Sequence, residues 1–137
     1  MEKNIFVIFL LTILLLTSCK KTENDIQWEE ALTGHSWEPR TNANARIYYM
    51  PILEFGEDGR GKSYLTINST KNEFGWEIRQ KQMRLYYDKA PSEYSIGQDK
   101  YNSKAIFLVN SLKDSVLDVS HLTSTGYEVN YKFYKIK

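Results

Sequence analysis

Chemistry needs nucleophiles, bases or metal ligands brought together, and this chain offers few residues of those types. His35 and His121 are its only histidines and stand far apart in the sequence. Metal sites usually show close spacings, such as two histidines four positions apart. His121 continues the phase of Leu117 and Val119, so it reads as a hydrogen-bonded histidine at a strand end rather than a ligand or a base. Glu57 and Asp58 form the one tight acidic pair near glycines. A turn accounts for them, whereas calcium would need further oxygen ligands at alternating positions. No Gly-x-Ser-x-Gly elbow, Cys–His pairing or phosphate-cradling loop is present in the sequence. The expectation is a protein that is not an enzyme, with no catalytic residues, no metal and no cofactor.

The remaining reactive group is the thiol of Cys19, the only cysteine. It follows Lys3, an apolar run from Ile5 to Leu16 broken only by Thr12, and then Thr17 and Ser18. The run is well short of the ~20 residues a membrane-spanning helix needs. It reads instead as a targeting segment to be set aside before the fold is considered. Leu16-Thr17-Ser18-Cys19 resembles the lipobox of bacterial lipoproteins. That resemblance implies cleavage before Cys19 and attachment of a diacylglycerol to its thiol. Residues 1–18 are then a signal peptide, 19–25 a lipidated tether, and 26–137 the folded domain. Lys20, rather than an aspartate, follows the cysteine, which by the sorting rule of such lipoproteins implies the outer membrane, on either face. With the single thiol acylated, no disulfide is available, so stability must come from an apolar core.

The folded part is balanced in charge. The net charge is +1 with the two signs interspersed, which argues against nucleic-acid binding, where basic groups gather on one face. Aromatic residues make up 14% of the chain, a composition that favours strands. Ile26 to Leu32 reads as one or two helical turns, capped by Asn24 or Asp25 and ended at Gly34. From Trp37 onward the apolar period is two. Phe74, Trp76 and Ile78 alternate with polar residues and glycine, as do Met83, Leu85 and Tyr87, then Leu117 and Val119, then Tyr127, Val129, Tyr131 and Phe133. Turns are expected at Glu57 to Gly61, joining Pro51–Phe55 to Ser63–Ile67, and at Ser69 to Asn72, Gln80-Lys81, Ala90 to Ser92, Leu112 to Ser115 and Ser124 to Gly126. Pro51 marks an edge or a bulge. Eight or nine hairpin-linked strands predict an all-β, antiparallel up-and-down barrel with a short N-terminal helical turn, a two-sheet sandwich being the alternative. Glu77, Arg79, Glu128 and Lys132 on the outer face argue against a membrane-spanning barrel.

This pattern resembles the lipocalin-like domains of small bacterial lipoproteins. The matching segments are Leu32-Thr33-Gly34-His35-Ser36-Trp37, then Leu53 to Gly61, then Phe74-Gly75-Trp76-Glu77-Ile78 and Met83-Arg84-Leu85. Gly34 and Trp37 are separated by two residues, where lipocalins proper have one. The resemblance implies structural roles for Gly34 and Trp37, with Trp37 closing one end of the barrel. An eight-stranded barrel is just wide enough to fill with side chains or to hold one small ligand. Trp76, Tyr87, Tyr94, Tyr127 and Tyr131 are the expected inward aromatics and the candidate ligand contacts. The expected function is an envelope binding module for a small apolar ligand or an envelope protein, held to the membrane through Cys19. The alternative is a protein inhibitor or assembly accessory with a filled barrel, acting through its loops and outer face, with Tyr94 to Lys104 as the loop of interest. Asp114-Ser115-Val116 is similar to a motif O-glycosylated on serine in some bacterial envelope proteins, which makes Ser115 a candidate for modification beside the plainer reading as a turn.

Overall fold

The computed structural model describes residues 21–42, 45–46, 50–67, 70–91, 103–122, 126 and 128–137. One helix, α1 (Glu23–Leu32), precedes nine strands: β1 (Ser36–Asn42), β2 (Ala45–Arg46), β3 (Ile52–Phe55), β4 (Arg60–Tyr64), β5 (Asn72–Arg79), β6 (Gln82–Tyr87), β7 (Lys104–Lys113), β8 (Val116–Leu122) and β9 (Glu128–Lys135). Every pairing is antiparallel. The strands follow one another from β3 to β9, and β9 returns to pair with β1. Eight strands thus close an up-and-down barrel, and β2 is a two-residue arm sharing one edge of β1 with β3. The sandwich alternative is excluded by this closure.

Period two decides which side chains fill the barrel. Phe74, Trp76 and Ile78, then Met83, Leu85 and Tyr87, then Ala105, Phe107 and Val109, then Leu117 and Val119, and finally Tyr131 and Phe133 are all buried. Their neighbours along the strands lie outside, and the outer face carries Glu77, Arg84, Glu128 and Lys132 at least partly exposed. No described helix is long and apolar enough to cross a membrane. In β7 the register slips between Val109 and Ser111, which makes Asn110 the extra residue of a bulge opposite β8. Gly61 lies under the ring of Phe74. A Cβ there would stand 2.5 Å from that ring, so the position requires glycine.

The two ends of the barrel differ. At one end the connections are tight: Gly56 to Gly59, Gln80-Lys81 and Asp114-Ser115. Both two-residue loops have positive φ throughout, from 52° to 62°, the left-handed pairing that suits the twist of a hairpin. At the other end lie the strand ends that longer stretches of sequence join: Arg46 and Ile52, Tyr64 and Asn72, Tyr87 and Lys104, and Leu122 and Glu128.

The helix starts earlier than Ile26. Its cap is Thr22, whose Oγ1 accepts the N–H of Asp25 while the Asp25 carboxylate accepts the N–H of Thr22. Residues 23–25, expected in a tether, are therefore helical. Asp25 does more than cap. Its Oδ2 accepts from Gln80 N at 2.8 Å and its Oδ1 from Lys81 N at 2.9 Å, so one fully buried carboxylate holds the helix to the β5–β6 turn. Glu29 Oε1 adds a bond from Ile78 N at 2.8 Å. Two non-glycine residues in the left-handed region cost about 1–3 kcal/mol each. Charge-assisted bonds of about 1.5–3 kcal/mol apiece offset that cost. Burial pushes the Asp25 carboxyl up, but the N–H donors of Lys81, Thr22 and Gln80 outweigh it, and its pKa lies below the ordinary carboxylate value.

The strand boundaries of the first hairpin also shift. The structure shows Ile52–Phe55 and Arg60–Tyr64 where Pro51–Phe55 and Ser63–Ile67 were expected. Asp58 Oδ1 accepts Arg60 N, and Gly56 N donates to Arg60 O. These bonds close the turn early and pull Arg60 into the strand. Pro51 is buried just before β3. The proline within a strand is Pro39, which pairs with Phe133 and stands between the stretches of β1 that meet β3 and β2.

Trp37 is buried to 1% exposure at the start of β1. Its Nε1 reaches Leu32 O at the end of α1, and Gly34, at φ 79°, turns the chain between helix and strand while donating to Phe55 O.

Two outcomes follow for stability. Trp37→Ala is expected to lose about 3–5 kcal/mol, much of the ~5–15 kcal/mol available to a domain. Ile67→Ala, at a side chain 76% exposed, is expected to stay within about 0.5 kcal/mol of wild type in denaturant melts. A carboxylate whose pKa is depressed by folding stabilises the protein above its unfolded value near 4 and loses that contribution as pH falls through the folded value. Asp25→Asn is therefore expected to cost about 1–3 kcal/mol at neutral pH and to flatten the acid limb of the stability–pH curve. Urea melts between pH 3 and 7 check both.

Candidate functional site

Of the five aromatics expected to point inward, Trp76, Tyr87 and Tyr131 lie inside the barrel, 5–8% exposed. Tyr94 and Tyr127 fall outside the described residues, as do Cys19 and Tyr101. The three that are described belong to two walls. On the β3–β6 wall, Trp76 packs edge-on against Phe55 with centroids 4.7 Å apart, and Tyr87 meets Phe74 at 5.4 Å. On the β7–β9 wall, Tyr131 meets Phe107 at 6.4 Å, and Phe107 leans on His121 at 5.5 Å.

Buried tyrosine and tryptophan need a partner for their polar atoms, and here the chain supplies partners. Trp76 Nε1 donates to Arg60 O at 3.1 Å. Tyr87 Oη and Ser63 Oγ share a bond of 2.9 Å, fully buried at the Ser63 end. These rings are satisfied without a ligand.

The two histidines are not brought together. His35 sits by the end with the tight turns, its Nδ1 3.0 Å from Lys137 O. His121 points inward near the opposite end, one residue before its strand finishes, its Nδ1 3.1 Å from Ile106 O. It is the strand-end histidine expected from its phase. Among the described residues no three His, Cys, Asp or Glu side chains group as metal ligands. Ser115 is exposed at the tip of the β7–β8 turn, where its carbonyl accepts Lys135 N.

The sequence reading missed a groove on the outer surface. It has a volume of about 550 Å³ and is lined by Gly34–Ser36 and by residues of β3, β4 and β5, among them Glu54, Phe55, Arg60, Lys62 and Glu73. Cross-strand register sets Lys62 between Glu54 and Glu73. Lys71 Nζ approaches Glu54 at 3.4 Å. The Arg60 guanidinium lies over Gly75 and grips both oxygens of Asp88. That hydrogen-bonded pairing raises the pKa of Arg60 and lowers that of Asp88. Charges of both signs alternate along this groove and largely answer one another, so it offers no single-sign field to an ionic ligand. Only the register between strands assembles it, and register is not written in any one segment. A second polar network, Asn110 to Ser120 to Asn130, crosses the outer face of β7, β8 and β9 with bonds of 2.7 and 2.6 Å.

If the Tyr87 hydroxyl serves the core, Tyr87→Phe is expected to cost about 1 kcal/mol, read as a lowered urea midpoint with an unchanged slope. A variant as stable as wild type would mean that this hydroxyl contributes nothing to the packed interior.

No family model matches the chain, and neither the curated proteins nor the solved structures contain a match to it.

Proposed function

We propose that the chain is an outer-membrane lipoprotein, anchored by lipid on Cys19, whose lipocalin-like barrel is a binding module rather than an enzyme. It takes a small apolar ligand or an envelope protein at the end of the barrel opposite α1. The observation supporting this reading is the contrast between the ends. One, the closed end, is shut by α1, Trp37 and tight turns; at the other, the strand ends are joined by four longer stretches of sequence. Loops of that kind, on a rigid scaffold, are where binding residues concentrate.

A second reading is an inhibitor or assembly accessory with a filled barrel, acting through loops and outer face. The in-chain partners of Trp76 Nε1 and Tyr87 Oη favour it, because a ring already satisfied has less call for a ligand.

Native mass spectrometry of the full protein, extracted from its host in mild detergent, separates the two. A co-purifying small molecule supports the first reading. A stoichiometric envelope protein with no small molecule fits either reading, and hydrogen–deuterium exchange of that complex then divides them: protection confined to the end opposite α1 supports the first, and protection reaching the outer face of the strands supports the second. The anchor has its own test: Cys19→Ala is expected to lose the diacylglycerol mass increment and to leave the membrane fraction. Detergent partitioning at the wild-type level would sink the lipoprotein reading.

A further inference from the structure

The distance between Cys19 and the folded domain is too short to act as a flexible arm. Thr22 is already fixed as the cap of α1, and Lys21 is paired with Glu29. Lys21 stands two positions after Cys19, a step that reaches at most ~7 Å fully extended. Helix α1 itself lies against the β5–β6 turn through Asp25 and against β5 through Glu29. A group attached at Cys19 is therefore held beside the closed end. The opposite end is remote. Strand β9 has 8 residues, and at ~3.3 Å each the two ends are ~26 Å apart along the strand, somewhat less after tilt.

We propose that the closed end of the barrel is its membrane-facing surface, seated on the phospholipid headgroup layer, with the opposite end, where β6 finishes and β7 starts, directed away from the bilayer. This rests on the reading that Cys19 carries lipid. The short link fixes the orientation without requiring a charge pattern. The closed end carries lysines 81, 113, 135 and 137, all exposed, but also Glu23, Glu30 and Asp114, so opposite signs nearly cancel. Exposed Ile26 and Ile136, 48% and 42% accessible, lie on the same end and meet the apolar side of the interface. The lysine stems extend beside them with their ammonium groups among the headgroups. A partner then approaches from the side opposite the membrane and meets the far end of the barrel first.

Two single-cysteine variants of the full lipidated protein test this, since acylation leaves only the introduced thiol free for a fluorophore. Ser115→Cys places the dye on a closed-end turn, and Lys89→Cys places it just beyond β6 at the other end. Each is added to preformed phosphatidylcholine–phosphatidylglycerol vesicles containing headgroup-nitroxide lipid. The dye at residue 115 is expected to lose most of its emission and the dye at residue 89 little. Equal quenching, or stronger quenching at residue 89, in protein that floats with the vesicles overturns the orientation alone. Protein that stays out of the vesicle fraction and lacks the acyl mass overturns the anchor as well as the orientation that rests on it.

Discussion

The carboxylate of Asp25 joins parts of the chain that would otherwise have no reason to meet. It completes the cap of α1 and binds the two N–H groups of a left-handed turn 55 and 56 positions further on. Without those bonds the helix would rest on the barrel through Leu32, Trp28 and the Glu29 contact alone. A ten-residue helix is too short to persist unaided. Its existence is thus a tertiary effect, and so is the closed end that it builds. A buried charge is tolerated here because the backbone N–H groups of Thr22, Gln80 and Lys81 all donate to it, with the Thr22 side chain adding to them.

Closure of the sheet is the second constraint. β1 must satisfy β9 along one edge and divide the other between β3 and β2. Pro39, which has no N–H to offer, stands where that division occurs. Trp37 anchors the start of the same strand, buried between Leu53 and Lys135 in register and tied to the helix end. Helix, seam and closed end therefore form one assembly, and the walls of the barrel extend from it as successive hairpins.

Much of that wall was legible in the residues. Alternation alone identified the inward faces of β5, β6, β8 and β9, because a strand wet on one side must bury every second side chain. Gln80-Lys81 was recognisable as a turn between two alternating runs. The burial of Trp37 was implied by resemblance rather than by pattern. Asp25 was visible only as a candidate cap, since its more important partners lie far along the chain. The start of α1 was missed for the same reason: Thr22 gains its meaning as a cap from an aspartate that the turn holds in place. The early start of β4 depended on the Asp58–Arg60 and Gly56–Arg60 bonds, which a residue-by-residue alternation count does not register. The outer groove arises from three strands in register and has no signature within any single one.

The pairing of β1 with β9 has a kinetic meaning. Most other strand pairs join neighbours in the chain, so each closes a small loop at little entropic cost. The pairing of Trp37 with Lys135 spans nearly the whole domain. Contacts of such separation slow folding, because the chain surrenders its freedom before the contact returns anything. As the chain emerges from its N-terminus, β1 waits with one edge unpaired until the last strand arrives. During that interval the unfinished sheet exposes the kind of edge that recruits other strands. The completed barrel ends this exposure, and the hazard belongs to the nascent molecule alone.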